Sequence, residues 1–211
     1  MSALMRGELI KAVTTRTLFG FTALGVALAI ANVLIVTLSE DLVTVADKQE
    51  AIAGLPILLI LFGLVGAAGE YRHRTAAPAA LAAGGSRGRL LLARAGAYAV
   101  TGLVLGALTT AVTLALGLPL LRGETGPVLG SGELAAVAAG SIGGAALCAI
   151  IGVAAGALVR SQVAGVVGAL VLMFVGTPLL NIVDETAAEV TPFGAAVVLA
   201  GNDPNAETLS W

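Results

Sequence analysis

The chain has 211 residues, 58% of them hydrophobic and 11% charged, with a formal net charge of -2 and a mean hydropathy of +1.00. A soluble domain carries about 25% charged residues to keep its surface in water, so this composition excludes a water-dispersed globule and calls for a bilayer as the apolar solvent. The single cysteine, Cys148, excludes an internal disulfide and a cysteine-cluster metal site. The bias toward Ala, Gly, Val and Leu, with lysine only at Lys11 and Lys48, fits a GC-rich bacterial gene.

Residues 1–16 form the first expected unit, an amphipathic helix lying at the cytoplasmic interface. Met5, Leu9, Ala12 and Val13 share its apolar face, while Arg6, Glu8 and Lys11 point elsewhere. A frayed start to the first span is the alternative. That span is expected from Thr17 to Leu38. Ala29-Ile30-Ala31 resembles a signal-peptidase site, but the apolar run continues to Leu38 and is too long for a secretory core, which favours an uncleaved anchor.

A helix needs about 20 apolar residues to cross roughly 30 Å of hydrocarbon, and four further runs meet that length. They are Ile52–Gly69, Ala95–Leu121, Leu134–Val159 and Val163–Asn181. The expected fold is therefore all-α, a polytopic transmembrane bundle of five spans over residues 17–181. None of the five carries Lys, Arg, Asp or Glu in its interior, as lipid-embedded helices require.

Basic residues set the orientation. Arg6, Lys11, Arg16, Arg72, Arg74, Arg87, Arg89, Arg94 and Arg160 fall on one side of the five spans, leaving Lys48 and Arg122 on the other. By the positive-inside rule the N-terminus is cytoplasmic. Residues 182–211 then form an extracytoplasmic tail. Asp184, Glu185, Glu189, Asp203 and Glu207 make it too polar to span, and its apolar piece, Phe193 to Ala200, is too short to cross.

Small residues recur at helical spacing. Gly140, Gly144, Cys148, Gly152 and Gly156 line one face of the fourth span, and Gly102 and Gly106 repeat the pattern in the third. Such faces let helix backbones approach closely in lipid, either within one chain or at a dimer or conduit interface.

No catalytic constellation or metal set emerges, so the chain is not expected to be an enzyme. His73, between Arg72 and Arg74, reads as a solvated loop residue. Gly84-Gly85-Ser86-Arg87-Gly88 lacks the Lys and Ser/Thr of a phosphate-cradling loop and reads as a flexible turn. Without ionisable groups inside the spans, an ion-coupled transporter is disfavoured. Asn32 is accounted for by interhelical hydrogen bonding.

The loop over residues 70–94 is the most informative segment. Glu70, Tyr71, Arg72, Arg74 and Thr75 leave the second span, Pro78 opens a short helix to Ala83, and Arg87, Arg89 and Arg94 lead into the third span. A short helix between charged flanks suits docking of a soluble partner. Arginines retained only for topology are the other reading.

The order of motifs resembles the membrane subunit of type-2 ABC transporters, the ABC-2 permease family, over nearly the whole chain. The matching features are Glu8-Leu9-Ile10-Lys11 with Arg16 before the first span, an acidic first outer loop, and Gly69-Glu70-Tyr71-Arg72 with Thr75. After these come a small-residue helix, the Arg87-Gly88-Arg89 turn, a long third span, and Arg160-Ser161-Gln162 between the last two spans. Thr191-Pro192-Phe193-Gly194-Ala195 is similar to the stretch before the final span of such permeases.

The resemblance implies a six-helix bundle in a bacterial plasma membrane that pairs with a second permease subunit as a homo- or heterodimer. A separate ABC ATPase subunit would bind ATP and Mg, leaving no cofactor in this chain and no role for nucleic acid. Glu70, Tyr71, Arg72, Arg74, Thr75, Arg87 and Arg89 would couple ATP hydrolysis to export. The sixth span expected after Gly194 does not follow in the sequence to Trp211, either because the chain is truncated or because it lacks that helix. A non-transporting scaffold or immunity-type protein, binding a cytoplasmic partner through residues 70–94, is the alternative.

Overall fold

A computed structural model describes residues 2–39, 44–55, 58–82, 84, 86–122, 127–183, 191 and 195. Among the described residues every regular element is helical. The helices are α1 (Ser2–Thr14), α2 (Arg16–Ser39), α3 (Val45–Ile52), α4 (Leu58–Arg72), α5 (Ala76–Ala82), α6 (Arg87–Leu121), α7 (Ser131–Val159), α8 (Gln162–Val171) and α9 (Thr177–Val183), with a π-helical turn, Leu172–Gly176, joining the last two.

Local sequence sets several helix ends. Thr44 Oγ1 accepts the Asp47 amide at 3.1 Å while Asp47 Oδ2 accepts the Thr44 amide at 2.8 Å, a reciprocal cap on α3. Ser86 and Ser161 hydroxyls accept the Arg89 and Ala164 amides at the starts of α6 and α8. Helix α7 stops where Arg160 turns left-handed at φ 55° and its amide donates to Gly156 O.

Among the described residues four helices are long and apolar enough to cross a membrane: Arg16–Leu38, Arg87–Leu121, Ser131–Val159 and the composite Gln162–Leu180. Their outward surfaces carry Phe19, Leu38, Val163 and Phe174, all exposed, as lipid contact requires. The helix that contains the third expected span begins ahead of it, at Arg87 rather than at Ala95.

The expected second span, Ile52–Gly69, is a broken helix. Helix α3 ends at Ile52, Ala53 takes an extended conformation (φ -64°, ψ 145°), and α4 resumes at Leu58. Pro56 follows in the sequence and disfavours helical backbone at Leu55. Within the break the Gly54 amide donates to Ser141 Oγ of α7 at 2.9 Å, so irregular backbone inside the bundle is satisfied by protein. The 15 residues of α4 reach only about 22 Å, less than the hydrocarbon thickness.

Although short, α4 is the centre of the bundle. Leu58, Leu59, Ile60, Phe62, Leu64, Ala67 and Ala68 are all buried. Close glycine contacts fix the helix directions. Gly152 and Gly156 of α7 meet the backbone at Ile60 and Leu64, so α4 and α7 run parallel. Gly25 of α2 meets Thr109 of α6 and Val33 meets Gly117, so that pair is parallel too, and opposite in sense to α4. At the far end Lys48 is buried and donates to Pro127 O at 3.0 Å, which pins α3 over the α6–α7 connection.

The face that α1 buries differs from the expected one. Glu8 and Ala12 are buried, with Met5 packed over Gly96 of α6, whereas Val13 and Ile10 are exposed. Helix α1 packs on α6, and the expectation that Glu8 faces away from the side bearing Ala12 is corrected, because both are buried and Glu8 meets charges there. The expected tail residues Asp184, Glu185, Glu189, Asp203 and Glu207, and the stretch 193–200 apart from Ala195, lie outside the described residues.

Candidate functional site

Four charged side chains from three helices converge at the end of the bundle that carries α5. Glu8 and Lys11 sit one turn apart on α1, Glu70 ends α4, and Arg94 lies two turns into α6. Lys11 Nζ donates to Oε1 of Glu8 at 2.7 Å and also to Oε1 of Glu70. Arg94 donates through Nε to Oε2 of Glu8 at 3.3 Å and through Nη2 to Oε2 of Glu70. Each carboxylate bridges both cations and each cation bridges both carboxylates, giving a closed ring of alternating charge.

Burial makes the alternation necessary. Arg94, Glu8 and Glu70 are 4%, 6% and 7% exposed, so the loss of one member would leave a desolvated charge without its counterion. Only Lys11 keeps substantial contact with solvent. Glu70 and Arg94 stand one residue outside the expected spans Ile52–Gly69 and Ala95–Leu121, so the buried charges sit at the span ends, on helices that extend past the apolar runs.

The ring lines a cleft of about 370 Å³ that also includes Tyr98, Gly66, His73 and Gln162. Tyr98 packs its ring on Phe62, whose centroid is 5.0 Å away, and Phe62 meets Phe21 edge-on at 5.6 Å. A Cβ at Gly66 would collide with the Tyr98 hydroxyl, so glycine is required for that tyrosine to reach the cleft. His73, expected as a plain loop residue, stands at the mouth.

The residues expected to couple to a partner divide into two groups. Glu70 is the ring carboxylate. Beside it Tyr71 lies under the Arg160 guanidinium, 5.8 Å from its centroid, and Arg72 Nη1 is 3.4 Å from Gln162 Oε1, so the end of α4 touches the α7–α8 junction. Thr75 donates its amide to Glu70 O at 2.9 Å, and Arg74 makes the turn at φ 58°. Arg87 and Arg89 stand exposed on the first turn of α6, beyond α5. The short helix is α5, Ala76–Ala82, and its Leu81 is 77% exposed.

The glycine faces pack within the chain. A Cβ on Gly152 would collide with Ile60 O, and one on Gly156 would lie 2.6 Å from Leu64 O. On α6 a Cβ at Gly102 would lie 2.9 Å from Ala145 O, and one at Gly106 2.6 Å from Ala145 Cβ. Gly144 is buried on the same side of α7 and Gly140 is half-buried.

Sequence reasoning named Glu8, Lys11 and Arg94 without bringing them together with Glu70, and it missed Tyr98 and Ser141. The available signals were Glu8 and Lys11 at i, i+3 spacing, and charges directly abutting apolar runs, which are retained only when partnered. No family model, curated protein or solved structure matches this chain.

Proposed function

We propose that this chain is the permease subunit of an ATP-driven exporter of the ABC-2 type, in a bacterial plasma membrane. It provides the membrane path while a separate ATPase hydrolyses ATP with Mg. In this reading α3 and α4 together make a fifth crossing, the N-terminus is cytoplasmic, and the chain pairs with a second permease subunit. The orientation rests on the asymmetry of basic residues, nine against two across five crossings.

One observation carries the reading. Helix α5 projects from the bundle with Leu81 exposed, and the segment bearing it is clasped at its base by Glu70 and Arg94. A force applied at α5 would pass through that clasp into α4, α6 and α1 together. This arrangement suits a lever between a soluble motor and a membrane bundle.

The experiment is purification of the full-length chain in mild detergent with its neighbouring ATPase co-expressed. A stoichiometric complex, lost on replacing Arg72 and Arg74, supports the permease. A chain that never retains a nucleotide-binding partner rejects it in favour of a membrane scaffold that binds some other protein through the same loop.

A further inference from the structure

The ring saturates its carboxylates more fully than its cations. Arg94 uses Nε and Nη2 on Glu8 and Glu70, and Nη1 has no hydrogen bond among the described residues. Tyr98 is 7% exposed, and its hydroxyl likewise makes no hydrogen bond among them. Neither atom is sealed in the protein without a partner, a condition met among the described residues by Asn32 Nδ2 and Thr110 Oγ1. Lys11 makes two ion pairs and has a third N–H to give. The 370 Å³ cleft is thus lined by three residues that each keep a donor in reserve, Lys11, Arg94 and Tyr98.

Its depth is fixed by its rim. Thr17 and Gln162 line it, and they stand at the first turns of α2 and α8, where two crossing helices begin. That level is the headgroup zone of a bilayer. The ring is charge-balanced, two cations against two carboxylates, so what the cleft offers at the depth of the lipid phosphates is hydrogen-bond donors rather than net positive charge.

We propose that the cleft binds the phosphodiester of a membrane phospholipid, with Arg94 Nη1, Lys11 Nζ and Tyr98 Oη as donors to its oxygens. The site requires only that α2 and α8 cross the membrane. It does not depend on the permease reading, and failure of either leaves the other standing.

The test is the melting temperature of the purified full chain in a neutral maltoside detergent. Three additives are compared: dihexanoyl phosphatidylethanolamine, dihexanoylglycerol and inorganic phosphate. The phospholipid is expected to raise Tm by about 5–10 °C near saturation, while the other two leave it within about 1 °C. Gly69 lines the cleft and has open space where a Cβ would stand. Gly69→Leu should therefore fill the cleft and abolish the shift while leaving the lipid-free Tm in place. Tyr98→Phe keeps the ring stacked on Phe62 and should weaken phospholipid binding several-fold.

An equal shift from dihexanoylglycerol, or a full shift retained in Gly69→Leu, overturns the site. An equal shift from inorganic phosphate overturns the lipid and assigns the cleft to a soluble phosphate.

Discussion

Glu70 and Arg94 are 24 residues apart in sequence and in direct contact in space, so α5 and both its flanking turns hang from one buried ion pair. Because Glu8 and Lys11 complete the circuit from α1, the same contact holds the N-terminal helix to the bundle. Removing one partner should destabilise more than removing both. Glu70→Gln alone leaves two cations facing Glu8 and is expected to cost about 3–5 kcal/mol. Glu70→Gln with Arg94→Gln restores neutrality and should cost less than the sum of the single changes. A double-mutant cycle from thermal melts in detergent measures the coupling, and strict additivity would dissolve the ring as an energetic unit.

The glycines of α7 should divide by what their missing Cβ would meet. Gly152→Ala drives a methyl into Ile60 O and is expected to cost about 1–3 kcal/mol by overpacking. Gly143→Ala has nothing within 4 Å and should be neutral or stabilise by up to about 1 kcal/mol through helix propensity. Melting both variants in one detergent gives the contrast, and equal losses would contradict the packing described.

Ser141→Ala should leave the Gly54 amide without its acceptor inside the bundle. The expected cost is about 1–3 kcal/mol. Hydrogen exchange at Gly54 should quicken sharply while amides in the middle of α7 stay protected. Unchanged exchange at Gly54 would show that its protection comes from elsewhere.

Thiol labelling can test the proposed topology with the native chain as its own control. Cys148 is fully buried, so folded protein should resist a membrane-permeant maleimide. Introduced cysteines at Arg74 and at Val128, which is 90% exposed, should label only from the cytoplasm and only from outside, respectively. Labelling of both from one side would reject the five-crossing arrangement.

The apolar runs located the crossing helices because length and hydropathy are properties of single segments, and Arg16–Leu38 or Ser131–Val159 could be read almost to the residue. The break at Ala53–Leu55 was not read, because a segment buried on every side is apolar throughout and its periodicity carries no signal. Its trace was Gly54-Leu55-Pro56, a helix-stopping combination inside a hydrophobic run. The charge ring was less accessible still. Glu8 and Arg94 lie 86 residues apart, and composition gave each a sensible place at a water-facing boundary. Only tertiary contact reveals that they neutralise each other, and the same holds for Tyr98, whose access to the cleft depends on Gly66 of another helix.

The hydrogen bond from Gly54 to Ser141 also constrains biogenesis. The acceptor is 87 residues downstream of the donor, which at about 5–20 residues per second means roughly 4–17 s of synthesis before the break in the helix can be closed. During that interval α4 has been made but is too short to span alone, and the Gly54 amide ahead of it lacks its acceptor, so the segment has no stable transmembrane position of its own. Insertion of this segment is therefore expected to be delayed. It would wait at the membrane surface or beside the insertion machinery until α7 emerges, and a nascent chain arrested before residue 141 should remain accessible to protease at Gly54.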